Sequence, residues 1–344
     1  MNRADRRLET RDVETGAGRR KPEASRKLTA IALAFALGAC VTRAATTSTV
    51  TELPAGTEAV SLFNEPLFPA PLAPDVRERM VAQLTAARAD LAAAPKSADA
   101  LIWVGRRTAY LGRFQEAIAI FTEGAETFPN DARMFRHRGH RYISVRNFPS
   151  AVADLDHARA LTRGQPDDIE PDGQPNARNI PTSTLQGNIR YHLGLAHYLR
   201  GDFAKAIPIY EDDLAAARTV DTRVATTHWL YMALQRAGRP ADAERVLAPI
   251  TPGLDVVENG TYYRLLLLYK GLIPPDSILP AVADASKGLD EATLGYGLAN
   301  WHYYHGRRAA AVALWRRVIA VGPWASFGYI ASEADLARLG EQPR

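Results

Sequence analysis

The chain lacks an excess of charge of either sign outside its first 39 residues. It has 42 Lys and Arg and 38 Asp and Glu, but nine of the basic and five of the acidic residues precede Cys40, which leaves 33 of each after it. A protein that binds the phosphates of a nucleic acid needs a surplus of basic side chains on the surface that meets the polymer. The balance after Cys40 therefore predicts no nucleic-acid partner.

The apolar run near the start of the chain is too short to span a bilayer. Residues 28–39 form 12 uncharged, largely apolar residues, whereas a helix needs about 20 to cross the hydrocarbon core. Basic residues, among them Arg26 and Lys27, precede this run, and small residues end it. That order is typical of an export signal, so residues 1–39 are predicted to be a signal peptide.

Cysteine occurs once, at Cys40, so the chain has no internal disulfide to form. The sequence Leu37-Gly38-Ala39-Cys40 resembles the lipobox of bacterial lipoproteins. The resemblance implies that Cys40 is lipidated, becomes the mature N-terminus and anchors a periplasm-facing protein. Val41 stands where lipoproteins kept in the inner membrane often carry Asp, which favours the outer membrane.

Catalytic motifs are missing too. There is no Gly-x-Ser-x-Gly elbow, no phosphate-binding glycine loop and no His-Glu-x-x-His motif. His137 and His140, or His302 and His305, have the spacing of two metal ligands on one helix face, but a site needs a third ligand from elsewhere. We therefore predict no catalytic residue, metal or cofactor, and keep a metal-dependent hydrolase as the least favoured alternative.

Between Cys40 and the folded body, residues 40–74 are predicted to be a tether and an extended arm. Residues 41–58 are rich in Thr, Ala and Ser, and residues 61–74 set apolar side chains between prolines. Residues 75–95 carry Val76, Met80 and Leu84 at helical spacing, which predicts a helix that caps the body.

What the chain does contain is an internal repeat over residues 98–325. Each copy places a Gly, a turn, an Ala and then a large apolar residue at similar spacings; the glycines of the first three copies are Gly105, Gly139 and Gly194, and the alanines of the five copies are Ala117, Ala151, Ala206, Ala243 and Ala311. Such units of about 34 residues are typical of stacked helix hairpins, because no hairpin buries its apolar face alone.

This pattern resembles the tetratricopeptide repeat (TPR) family over about two-thirds of the chain. The resemblance implies an all-α fold, a right-handed superhelical solenoid of TPR-type helix hairpins with an N-terminal extended arm and a C-terminal capping helix over residues 326–344. Residues 163–184 form an insertion after the second copy, and residues 258–290 form a degenerate copy that turns at Gly271 and carries three prolines.

The family resemblance further implies a concave groove, lined by the first helix of each hairpin, that holds a peptide or a partner helix. Tyrosine and arginine are frequent at binding hot spots. The candidate groove residues are Arg106, Tyr110, Arg136, His140, Tyr191, Tyr198, His228, Tyr296, Asn300, Tyr303 and Tyr304. The alternative is that the tyrosines pack between helices and that the arginines are solvated, because a shift of one residue along a helix turns a side chain away from the groove.

The insertion is interpreted as an ordered loop that folds over the groove, with Asn176, Arg178 and Asn179 as polar contacts; a mobile linker is the alternative. Asp168, Glu170 and Asp172 imitate the start of a calcium loop, but Asn179 stands where that loop needs a glutamate. Calcium is therefore not favoured.

Together these patterns predict a protein that acts by binding. The favoured hypothesis is a membrane-anchored envelope scaffold that holds a protein or peptide partner, similar to repeat-bearing lipoproteins of the NlpI and BamD types. The alternative is a receptor for a small ligand, muropeptide or glycan in the Tyr/Arg/His groove. A homodimer through the end helices is compatible with the sequence.

Overall fold

The computed structural model describes residues 53–280 and 288–344. The predicted signal peptide, Cys40 and the first part of the tether therefore lie outside the described residues. Residues 281–287 of the degenerate copy lie outside them as well. The helices are α1 Pro74–Ala93, α2 Ala98–Tyr110, α3 Phe114–Thr127, α4 Ala132–Ser144, α5 Phe148–Leu161, α6 Leu185–Arg200, α7 Phe203–Ala216, α8 Val220–Arg236, α9 Pro240–Leu247, α10 Gly260–Tyr269, α11 Gly288–Tyr304, α12 Arg308–Val321 and α13 Phe327–Leu339. Within these two ranges, none of the helices has the length and apolarity that a bilayer crossing requires.

Several of the helices begin at a capping side chain. Ser97, Asp131, Thr184 and Thr219 each accept a hydrogen bond from a backbone N–H in the first turn of the helix that follows. Such caps satisfy backbone donors that have no partner inside the helix. Short turns then join the helices in pairs, and successive helices pack against one another along the chain.

The glycines of the repeat allow the two helices of a hairpin to approach closely. A Cβ atom on Gly105 would lie 2.5 Å from the Phe121 ring, one on Gly139 would lie 2.7 Å from Leu155, and one on Gly194 would lie 2.6 Å from the Tyr210 ring. The repeat alanines are fully buried: Ala117, Ala151, Ala206, Ala243 and Ala311. The predicted all-α solenoid of TPR-type hairpins is confirmed by this packing.

The degenerate copy keeps its first helix. Helix α10 packs between α8 and α11, and Gly271 follows it with a φ of 70°. A 3-10 turn at Pro275–Ser277 comes next. The rest of this copy runs into residues 281–287, outside the described part of the chain.

The arm that precedes α1 lies along the solenoid. Its strands β1 (Ala59–Val60) and β2 (Pro66–Leu67) form a short antiparallel pair. Phe63 packs against the main core, and Pro69 covers Gly112 in the turn between α2 and α3. The arm also reaches the C-terminal part of the chain, because the Leu62 N–H donates to Glu333 in α13 at 2.7 Å.

Helix α13 is more than a cover for the last hairpin. It packs on α11 and α12 as a further first helix would. It also contacts α6, the first helix of the third hairpin. All nine residues from 328 to 336 are buried. A helix that covered only the end of a solenoid would leave one face exposed, so α13 is enclosed on every side.

Candidate functional site

The first helices of the hairpins form one surface, which we call the inner face. Helices α2, α4, α6, α8, α10 and α11 contact one another in this order along it. Helix α13 lies against this face. Its Phe327 ring is 5.5 Å from His140 of α4 and 6.3 Å from Tyr191 of α6, and Arg338 at its other end donates to the Leu199 carbonyl at 3.0 Å.

Four of the predicted groove residues are buried in the interior of the solenoid. Tyr198, Tyr296, His228 and Asn300 are each at most 1% exposed. The Tyr296 hydroxyl lies 2.8 Å from that of Tyr198 and donates to Asp335 of α13 at 3.0 Å. His228 instead contacts α10 and Asn300 contacts α8, so all four side chains take part in internal packing.

The two tyrosines at the end of α11 are also in contact with neighbouring helices. Tyr303 lies 4.9 Å beneath the Arg236 guanidinium and 5.7 Å from the Trp315 ring. Tyr304 packs edge-on against Tyr231 at 6.4 Å. Burial raises the pKa of Tyr304 well above its usual value, so its hydroxyl stays protonated.

A cavity of about 330 Å³, which we call the polar cavity, remains open between α6, α8, α10, the end of the insertion and the start of α13. Tyr191 of α6 is the one predicted groove residue that lines it. The other lining residues are Thr182, Ser183, Thr184, Gly187, Asn188, His192, Asp213, Thr222, Ala225, Thr226, Glu258, Asn259, Tyr262 and Phe327.

Aromatic hydroxyls are held in place at one wall of the polar cavity. The Tyr191 hydroxyl is 3.1 Å from that of Tyr262 and accepts from the Trp229 indole N–H at 2.9 Å. Tyr262 in turn stacks on His228 at 4.5 Å. Burial raises the pKa of Tyr191 and, by desolvation, lowers the pKa of His228 to about 3, so both side chains are neutral at physiological pH.

The insertion spans the polar cavity. Asn176 donates to Glu258 at 2.6 Å, Arg178 pairs with Asp255 at 2.7 Å, and Thr182 donates to Glu258 at 2.6 Å. The loop is thereby joined to the segment between α9 and α10. Asn179, the third predicted loop contact, has a φ of 51° and donates its N–H to the Asn176 carbonyl in the loop's own turn.

The other end of the insertion is held by α2. Arg106 donates to the Pro171 carbonyl at 2.7 Å and Arg107 donates to the Gly173 carbonyl at 2.8 Å. Asp172 accepts from the Gln174 N–H. Within residues 53–280 and 288–344 the structure contains no group of three His, Cys, Asp or Glu side chains placed to hold a metal ion.

A second, smaller cavity of about 120 Å³ lies beneath this end of the insertion, and we call it the arginine cavity. It contains the four remaining predicted groove residues, Arg106, Tyr110, Arg136 and His140, together with Ala109, Phe121, His137, Arg141 and Glu170. Glu170 and Asn188 separate it from the polar cavity, because Asn188 lines the polar cavity and donates to Glu170 at 3.1 Å.

The site also contains residues that the sequence analysis did not place in the groove. Arg141 and Glu170 complete the arginine cavity, and Asn188, Tyr262 and Phe327 line the polar cavity. Arg141 lies four residues after His137 on α4, so helical spacing places it on the same face as that histidine. Phe327 had no such signal, because its position depends on how α13 packs across the solenoid.

No protein-family model and no curated protein sequence matches the chain. Among solved structures, a TPR protein named YrrB, described as having an unusual peptide-binding site, is similar to 73% of this chain and 97% of that one, with 14% identity and a TM-score of 0.39. A tetratricopeptide repeat protein from Parabacteroides merdae is similar to 77% of this chain and 94% of that one, with 14% identity and a TM-score of 0.42. Because these sequence identities and TM-scores are low, the fold is established by the helix hairpins described above and not by these similarities.

Proposed function

We propose that the protein acts by binding, and that it takes a short extended peptide segment of a partner protein into the polar cavity. The observation that carries the proposal is a cavity of about 330 Å³ on the inner face, lined at one edge by the end of the insertion. Ligand pockets measure roughly 300–1,000 Å³, so this one is of a size for a few residues. Helix α13 already lies against α6 and α11 of the inner face, which favours a short extended segment over a partner helix.

The chemistry of the cavity suits a peptide backbone. Asn188 uses its amide N–H groups on Glu170 and Ser183, and among the described residues no donor reaches its Oδ1. That oxygen is an acceptor for a peptide N–H. The Thr226 hydroxyl donates to Asp213 at 2.6 Å, so its hydrogen is not available to a ligand. The Phe327 ring offers an apolar surface for a side chain of the peptide.

The insertion supplies a route of entry. Its contact with the α9–α10 segment consists of the exposed ion pair of Arg178 with Asp255 and of the hydrogen bonds that Asn176 and Thr182 donate to Glu258. Surface ion pairs contribute little to stability. Loops that cover binding sites belong to the least stable parts of a fold. Opening of this contact admits a ligand without disturbing the hairpins beneath.

A glycan or muropeptide is the second candidate. The lining is rich in hydroxyl groups, and it exposes the aromatic residues Tyr191, Tyr262 and Phe327. Sugars present hydroxyl groups and an apolar ring face, which fit such a lining. One experiment separates the two candidates, because peptides and sugars can be tested as separate ligands.

The test is thermal unfolding of the full chain with a library of short peptides and, separately, with muropeptides and simple sugars. The blocking variant is Ala225→Phe, which places a ring in the cavity and removes no charge. The control is Tyr263→Phe; its neighbour Tyr262 lines the cavity, whereas the Tyr263 hydroxyl donates to the Thr251 carbonyl outside it. The proposal expects a peptide to raise the Tm of wild type and Tyr263→Phe but not of Ala225→Phe.

A rise with sugars alone supports the second candidate and removes the peptide. No Tm change with either library, or an equal change in Ala225→Phe, overturns the use of the polar cavity altogether.

We also propose that lipidation of Cys40 places this binding domain at the bacterial envelope, facing the periplasm and attached to the outer membrane. The support is the leader and lipobox pattern of residues 1–40. Thirteen residue steps separate Cys40 from Leu53, a reach of up to about 45 Å if extended. Palmitate labelling should mark the wild type and be lost in Cys40→Ala; labelling that persists in this variant, or never occurs, refutes the anchor.

A further inference from the structure

The arginine cavity contains more positive charge than its surroundings neutralise. Arg106, Arg136 and Arg141 all line it, and Glu170 is the one carboxylate among the lining residues. Glu170 lies 3.0 Å from Arg136. Arg106 bonds to neutral groups, the Pro171 carbonyl and the Tyr110 hydroxyl. Two positive charges are therefore left over.

Arg141 is the least satisfied of the three. In the part of the chain that the structure describes, its guanidinium has neither a carboxylate partner nor a hydrogen-bond acceptor, and it lies 5.4 Å from the Phe114 ring. Burial and the nearby charge of Arg136 lower the pKa of Arg141 to about 10. Arg141 is half-buried, and a charge that is partly removed from water without a counter-charge is costly, so proteins normally pair such groups.

The histidines of the cavity do not relieve this excess. Burial and the charges of Arg136 and Arg106 lower the pKa of His137, and burial and the charge of Arg141 lower that of His140. Both are therefore neutral at pH 7. The Arg136 Nη1 donates a hydrogen bond to His137 Nδ1 at 3.0 Å. The cavity is thus a partly open site of positive potential, in which three arginines and one glutamate give a net charge of +2.

We propose that the arginine cavity binds a doubly charged tetrahedral oxyanion, either free phosphate or sulfate or the phosphoryl group of a small ligand. The volume of about 120 Å³ equals that of about four waters at roughly 30 Å³ each, which suits one such group. Guanidinium groups bind oxyanions through paired N–H donors. A dianion neutralises the two excess charges, whereas a single carboxylate leaves one of them buried.

The experiment compares wild type with Arg141→Gln. Arg141 has no internal partner in the described residues to lose, so we expect this variant to fold and to gain Tm in the absence of anions. The matched control is Arg138→Gln on the same helix, because Arg138 pairs with Asp154 at 2.7 Å outside the cavity. The probes are inorganic phosphate, sulfate, glycerol phosphate and acetate at pH 8 and constant ionic strength, kept at millimolar concentration, below the range in which sulfate stabilises proteins generally.

Calorimetry should show phosphate and sulfate binding to wild type and Arg138→Gln, and the Kd should rise about tenfold or more in Arg141→Gln because a charge-assisted contact is lost. Binding of glycerol phosphate as well identifies a phosphoryl group as a ligand; binding of the inorganic anions alone identifies a free oxyanion. Acetate binding as tightly as sulfate overturns the assignment to a dianion. Absence of binding to wild type, or equal binding to Arg141→Gln, overturns the site itself.

Discussion

The ion pair between Glu333 and Arg146 provides a direct test of whether α13 is a permanent part of the inner face. Glu333 is 1% exposed and Arg146 is 8% exposed. The Arg146 Nε and Nη2 atoms both lie 2.9 Å from Glu333 Oε2, and the Leu62 N–H donates to Oε1 at 2.7 Å. One carboxylate thus joins α13, the turn after α4 and the N-terminal arm.

We expect Glu333→Ala to lower the free energy of unfolding by about 3–5 kcal/mol, because it leaves the buried Arg146 charge without its partner. The pair itself contributes little, since burial raises the pKa of Glu333 and lowers that of Arg146 despite their mutual attraction. A double variant, Glu333→Leu with Arg146→Met, should therefore recover more than half of the loss.

The assay is urea unfolding followed by circular dichroism, with Glu341→Ala as the control. Glu341 lies in the same C-terminal tail, but its partners Arg308 and Arg316 are more than a third exposed, so its removal should cost at most about 1 kcal/mol. The reasoning is refuted if Glu333→Ala unfolds within about 1 kcal/mol of wild type, or if the double variant is no more stable than Glu333→Ala.

Three further predictions concern the hairpins, the pH response and the insertion. Gly139→Ala should lower stability by about 1–3 kcal/mol in urea unfolding, because the new methyl group overlaps Leu155, whereas Gly260→Ala, with open space around it, should change it by at most about 0.5 kcal/mol; equal costs would contradict the close-approach argument. His228 has a pKa near 3 in the fold and near 6.5 when unfolded, so the unfolded state takes up the proton and stability should fall below pH 6.5, by about 2 kcal/mol at pH 5. His228→Gln should remove that part of the pH slope, and an unchanged slope would show that His228 is not neutral in the fold. Arg178→Ala should leave the Tm unchanged and speed association of a ligand with the polar cavity in stopped-flow measurements; a slower or unaltered rate would mean that the insertion does not control entry.

The hairpins were predictable because their signals are local and repeated. Gly105 and Gly139 recur 34 residues apart at the same place in the unit, and each one faces a large side chain of the same hairpin. The physical requirement is contained within about 16 residues of chain. Periodicity therefore identifies the packing partner without knowledge of the rest of the molecule.

The candidate site was predictable only in part. The spacing of the first helices identified Arg106, Arg136 and Tyr191 as residues of the inner face, where the structure places them. It did not distinguish them from Tyr198 and Tyr296, which point into contacts with α13. One turn of a helix contains both kinds of residue, and only the neighbouring elements decide which are covered. Their role in binding stays a prediction.

By itself, the sequence determined the class of fold, since this follows from short-range spacing within the repeated hairpins. The tertiary structure alone decided that α13 lies on the inner face, where Glu333 meets Arg146 across 187 residues of chain. It also decided that the insertion spans the polar cavity and that three arginines meet around one carboxylate. Contacts over such separations depend on how the stacked hairpins bring distant segments together, and no local pattern in the chain encodes them.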